Sequence, residues 1–162
     1  MIAHAFSSGA LFLAFGMLYQ RCHTREINGF GGIAKAMPIF TAMFVAFCMS
    51  NIGLPGTAGF VGEFMVILAS IKASPVIGVL TASTVVLSAS YTLWMVKRVF
   101  YGPCNQTMET LSDISITERS SLTLLLLALL CLGIYPKPLM QVMHHSLDHL
   151  RVVALQSKIN PS

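Results

Sequence analysis

Between Lys35 and Lys72 the chain carries a single charged side chain, Glu63. A straight helix of about 36 residues would reach roughly 54 Å at about 1.5 Å per residue, against about 30 Å of hydrocarbon in a bilayer. One crossing cannot use that length, so something must interrupt it. The interruption is written mid-block as Asn51-Ile-Gly-Leu-Pro-Gly-Thr-Ala-Gly59. There Pro55 removes a backbone donor, while Gly53, Gly56 and Gly59 admit non-helical angles. Broken backbone at membrane depth is tolerated only where it is buried in protein or lines a wet cavity. Discontinuous helices of this kind are the usual mark of an ion pathway. A re-entrant turn that serves packing alone is the plainer alternative.

The rest of the chain agrees with a lipid setting. Hydrophobic residues make up 55% and charged residues 10%, with mean hydropathy +0.74, whereas a soluble domain carries about 25% charged residues. The apolar residues gather into blocks at 1–20, 36–71, 73–97 and 118–135, each bounded by charges or prolines. The expected fold is therefore an all-α integral membrane protein with four transmembrane spans, the second a discontinuous helix, over residues 1–138. Residues 139–162 read as an amphipathic C-terminal segment lying at the interface, with Leu139, Val142, Met143, Leu147 and Leu150 as its apolar set.

Four spans put both ends on one side. The two loops opposite hold Arg21, Arg25, Lys35, Lys97, Arg98 and Arg119, against Lys72, Lys137, Arg151 and Lys158 on the other side. The positive-inside rule places those loops in the matrix or cytoplasm. Tyr19, Trp94 and Tyr101 lie near span ends, where amphipathic aromatics belong. The block opening at Met1 has no basic n-region and no cleavage site, so it reads as a span rather than a removable leader.

Composition also excludes several function classes. The net charge of +4 is small and its basic residues sit between apolar blocks, which gives nucleic-acid binding no support. Cys22, Cys48, Cys104 and Cys131 are scattered, without the spacing of a zinc or iron–sulfur site, and read as small buried residues. There is no glycine-rich phosphate loop and no nucleophile elbow. No redox chemistry and no cofactor are expected of the chain itself.

Glu63 is the most informative residue. A carboxylate at this depth costs several kcal/mol unless it is paired, hydrated or protonated, which makes intramembrane acids candidates for proton relays. The plain alternative is a structural ion pair with a helix outside this chain. His4, near the start of the first span, can pass a proton in either direction at physiological pH, or be a packing or interfacial histidine. Thr81, Thr84, Ser88 and Thr92 recur at spacings of three and four, on one helical face. They read first as interhelical glue and second as a support for a water chain. In the tail, His145 and His149 stand at i, i+4 beside His144 and Asp148, yet nothing completes a metal site, and no metal is expected.

Four strings then carry a resemblance: Met1-Ile-Ala-His-Ala-Phe-Ser-Ser-Gly-Ala-Leu-Phe-Leu13, Leu18-Tyr-Gln-Arg-Cys-His-Thr-Arg25 followed by Gly31-Gly32, Asn51 through Gly62-Glu63-Phe64, and Gly133-Ile-Tyr-Pro136. In that order they resemble the C-terminal part of subunit 4 of NADH dehydrogenase, the antiporter-like family of respiratory complex I in the Mrp superfamily. The family's subunit has fourteen spans, and this sequence looks like the last four. The resemblance implies that His4 and Glu63 belong to the distal half of a proton pathway, with Glu63 in the broken span near the outer exit. Sister subunits 2 and 5 tend to carry lysine in place of Glu63.

The same resemblance implies membership of an NADH:ubiquinone reductase whose NADH, FMN, iron–sulfur and ubiquinone sites lie in other subunits. The implied partners are antiporter-like subunits 2 and 5, other complex I subunits and, if the gene is split, an N-terminal part of subunit 4. A split gene is the favoured reading of a start at Met1 midway through the family's pattern. The implied setting is the mitochondrial inner membrane, with a bacterial plasma membrane second. Two rival functions stand beside this one: a subunit of a cation/proton antiporter or membrane-bound hydrogenase of the same superfamily, and a structural assembly fragment without proton traffic.

Overall fold

The structure is a computed structural model that describes residues 2–103, 111–137 and 140–141. The described residues form helices α1 (Ile2–Cys22), α2 (Ile33–Ala36), α3 (Pro38–Asn51), α4 (Ala58–Ala73), α5 (Pro75–Phe100) and α6 (Ile116–Ile134), with no strand among them. Helices α1, α5 and α6 are each long and apolar enough to cross a membrane. The histidine-bearing tail, with His144, His145, Asp148 and His149, lies outside the described residues, as does Cys104.

Local chemistry sets the helix ends. Pro38 and Pro75 occupy first-turn positions, where the missing N–H is no loss and the fixed φ favours a helix. Ser115 caps α6 in a reciprocal box: its hydroxyl accepts from the Glu118 N–H, and the Glu118 carboxylate accepts from the Ser115 N–H at 2.7 Å. That box starts α6 at Ile116, two residues before the sequence-based boundary. Helix α1 likewise runs past Gln20 to Cys22 and stops where His23 turns into the left-handed region, φ 52°, its N–H bonded to the Tyr19 carbonyl at 2.8 Å. Arg25 stacks its guanidinium 4.9 Å above the Tyr19 ring.

The expected interruption lies between α3 and α4. Helix α3 ends at Asn51, α4 begins at Ala58, and Gly53 (φ 83°) and Gly56 (φ 92°) take left-handed angles between them. Helix α4 then packs along α5, while α1 lies against α3 and α6, and α6 reaches α4.

Helices α1, α3, α5 and α6 and the α2 segment share one core, built around Phe40, Phe47, Phe100, Ile33, Met37, Leu18, Leu122 and Leu129. Within it the Phe44 and Phe100 rings stand 4.8 Å apart and Phe40 lies 5.9 Å from Phe44, close enough for aromatic contact to add to burial. The outward faces are apolar too. Val79, Leu80, Val86 and Leu87 on α5 are 63–70% exposed, a pattern that water would punish and lipid accepts.

Candidate functional site

Glu63 lies in the second turn of α4, just past the break, and the break is shaped around it. A Cβ built on Gly53 would collide with the Glu63 carboxylate, and φ at Gly53 is one that L side chains rarely adopt. Glycine is called for there by the turn, whose left-handed angle strains any side chain, while a Cβ would oblige the Glu63 carboxylate to move aside. From the other side α6 presses on the same turn. A Cβ on Gly133 would run into the Gly56–Thr57 backbone, so only glycine allows this approach.

Beyond the carboxylate opens a cavity of about 480 Å³. Helix α1 supplies Ala3, His4 and Ser7 to its wall, α3 supplies Ser50 and Asn51, and α4 supplies Gly59, Gly62, Glu63, Val66 and Ile67. Helix α5 contributes Thr81, Thr84, Val85 and Ser88. His4 and Glu63, read separately in the sequence, thus face one space. Three of the four hydroxyl residues expected to share a helical face line it as well. Thr92, one turn further along, is buried but is not part of the lining.

The polar lining is only partly satisfied from within. Thr81 and Thr84 donate to the Ile77 and Thr81 carbonyls at 2.8 and 2.7 Å, which leaves their lone pairs for the cavity. Ser7 donates to the His4 carbonyl at 3.2 Å or to Asn51 Oδ1 at 3.4 Å, a pair that ties α1 to the end of α3. Ser50 is 1% exposed, and its hydroxyl has no partner among the described residues. His4 itself is exposed. A space of this size with hydroxyl, amide, imidazole and carboxyl groups around it has the room and the partners to hold several waters.

Residues 1–88 match the family described as the transmembrane part of NADH:quinone oxidoreductase and Mrp antiporters. The chain belongs to that family. Among its relatives, subunit M of the NADH-quinone oxidoreductase of Rhodobacter capsulatus is 40% identical over 151 residues, covering 93% of this chain and 30% of the relative. Chain 4 of the NADH-ubiquinone oxidoreductase of Prototheca wickerhamii is 39% identical over 151 residues, covering 93% of this chain and 29% of the relative. A chain of respiratory complex I from Thermus thermophilus with bound NADH has a similar structure, with TM-score 0.78 and 34% identity over 83% of this chain and 28% of that one. The chain thus spans about 30% of the length of the relatives it matches.

Within this antiporter family chain, sequence reasoning missed three polar residues of the cavity wall and one glycine that packs on the break. Ser7, Ser50 and Asn51 are polar residues inside apolar helices, a signal the sequence does carry, though for Ser50 and Asn51 the glycines and proline that follow are the louder one. The role of Gly133 depends on an approach between α6 and the break that no local pattern encodes. The ion pair between Arg21 and Glu118 was missed for the same reason. In the sequence both are flanking charges, whereas the structure joins them by two hydrogen bonds of 3.0 and 2.7 Å.

Proposed function

We propose that this chain contributes the distal, exit part of a proton translocation pathway in a membrane-arm subunit of respiratory complex I, coupled to electron transfer from NADH to quinone. The observation that carries the reading is the single cavity shared by His4, Glu63 and the α5 hydroxyls. His4 acts as the relay, Glu63 as the terminal donor, and Thr81, Thr84 and Ser88 as supports for the water between them. The break around Gly53, Pro55, Gly56 and Gly59 supplies a backbone free of the helical hydrogen-bond ladder at the point where the proton must turn.

The direction follows from charge. Four spans, with α3 and α4 forming the broken second one, put the basic loops on the matrix or cytoplasmic side. The cavity takes its α1 residues from the end of that helix remote from those loops. It therefore lies toward the outer face, as an exit must. The pathway needs the rest of the subunit and neighbouring antiporter-like subunits, and the redox groups belong to other chains of the assembly. The setting is the mitochondrial inner membrane, or the plasma membrane if the source is bacterial.

The test uses membranes carrying the whole complex with Glu63 or Glu63→Gln, comparing proton pumping with NADH oxidation. Glutamine keeps the size and loses the exchangeable proton, so pumping per NADH oxidised should fall while the complex still assembles. Pumping indifferent to Glu63 would overturn the reading and leave a structural role for the chain. Loss of sodium-dependent exchange, with proton pumping retained, would move it to the antiporter class.

A further inference from the structure

Serines and threonines inside these helices usually return their hydroxyl protons to a carbonyl one turn back. Thr41 does so to Met37 at 2.8 Å, Thr81 to Ile77 at 2.8 Å and Ser90 to Val86 at 2.8 Å. This back-bonding is the default for such residues in apolar helices. Ser50 departs from it. Its side chain is buried at 1% exposure, and its hydroxyl meets no acceptor and no donor among the described residues. A buried hydroxyl left unpaired is costly, and native structures pair nearly all of them, with protein or with ordered water. Ser50 also lines the cavity that holds Glu63.

Its neighbour is in a similar state. Asn51 lines the same cavity and accepts one long hydrogen bond, from Ser7 at 3.4 Å, an interaction at the edge of the useful range. The backbone here is already committed. The Ser50 carbonyl accepts from the Gly53 N–H at 3.3 Å, and Gly53 is the residue whose missing side chain makes space for the Glu63 carboxylate. The last residues of α3, the glycine turn and the acid thus form one unit, with one unpaired hydroxyl and one underused amide on its cavity side.

We propose that Ser50 and Asn51 form a water site against Glu63, which makes them positioning residues for its proton exchange. The ligand is a water molecule: Ser50 offers a donor and two acceptor positions, Asn51 offers an amide with both, and the Glu63 carboxyl completes the ring of partners. A water held there sets the direction from which a proton reaches or leaves the acid. When Glu63 releases its proton, the Oε–H bond breaks and an O–H bond forms on that water, which passes one of its protons onward. Ser50 and Asn51 remain neutral throughout. The inference rests on Glu63 being the relay acid of the proposed function.

The test is done in membranes carrying the whole complex, with Ser50→Ala, Ser50→Thr, Asn51→Leu and Glu63→Gln. Three quantities are read: pumping per NADH oxidised, the pH profile of pumping, and the carboxyl C=O band of Glu63 in infrared difference spectra, identified by its absence in Glu63→Gln. Ser50→Ala removes one oxygen atom and leaves the fold its packing. It should slow pumping about tenfold, the scale of a lost hydrogen bond to a charged group. It should also displace the pH profile and move the Glu63 band to higher frequency, because the acid loses a hydrogen bond. Asn51→Leu should move the band the same way, and Ser50→Thr, which keeps the hydroxyl, should return it. If Glu63→Gln abolishes pumping while Ser50→Ala and Asn51→Leu leave the band and the pH profile unmoved, the water site is refuted and the relay reading stands. If Glu63→Gln itself leaves pumping intact, the relay reading falls and the inference falls with it.

Discussion

The two ends of this helix bundle are built to opposite rules. At the end bearing the basic loops, polar groups find partners. Arg21 of α1 grips Glu118 of α6 through a two-pronged ion pair, and that glutamate also closes the cap of its own helix. Asp113 accepts from the Ile39 and Phe40 N–H groups at 3.0 and 3.2 Å, so a side chain 74 residues away caps α3. Beneath these contacts lies the phenylalanine core. At the cavity end the helix ladder is interrupted, the Ser50 hydroxyl is unpaired and His4 is exposed. Partnered polar groups gather at the first end, and the unpaired hydroxyl lies at the second, on the cavity wall. A closed hydrogen-bond network specifies a shape, whereas an open one leaves sites for water.

Substitution at each end should therefore fail differently. Among changes to the scaffold around the relay groups, the largest effect is expected for Gly53→Ala. The left-handed angle alone costs about 1–2 kcal/mol for a residue with a Cβ, and the new methyl must displace the Glu63 carboxylate. Pumping should fall about tenfold, equivalent to about 1.4 kcal/mol on the barrier, because the carboxylate is pushed from its place, while native gels still show assembled complex. Gly133→Ala comes next. Its Cβ would press on the Gly56–Thr57 backbone, an overpacking worth about 1–3 kcal/mol. A lower thermal midpoint of the membrane complex, with pumping reduced alongside, is the expected readout.

At the locked end, Arg21→Ala should lower stability and leave the proton stoichiometry of surviving complexes unchanged. The pair is partly exposed, at 18% and 21%, so its loss should cost about 1–2 kcal/mol, between the values for exposed and buried pairs. Exchanging the two charges, Arg21→Glu with Glu118→Arg, should recover only part of that, since the new arginine cannot close the cap. The smallest effect is expected for Thr84→Val. The hydroxyl bonds its own helix, so its removal should slow pumping by no more than about threefold, the scale of one weak neutral hydrogen bond. A larger loss at Thr84 than at Gly53 would reverse the comparison.

Much of this was legible in the sequence because membranes make a few residues conspicuous. A proline and three glycines inside an uncharged block too long for one crossing locate the break, and a lone carboxylate beside them locates the acid. Hydroxyl periodicity on α5 placed Thr81, Thr84 and Ser88 together, though it carried Thr92 into the same set. Long-range pairing was not legible. The gap of 97 residues between Arg21 and Glu118 holds no periodic signal, and each charge alone reads as a span boundary. Ser50 and Asn51 were hidden differently. A serine in an apolar helix is ordinary, and only the structure shows that this one does not bond back to its own turn.

The most direct test of a shared cavity is a double-mutant cycle on proton pumping with His4→Ala, Glu63→Gln and the two combined, in membranes with NADH oxidation measured in parallel. Two groups on one path act in series, so each single change should remove most of the pumping and the double change should be no worse than the more severe single one. Effects that multiply, or pumping that survives either change, would contradict a common pathway through His4 and Glu63.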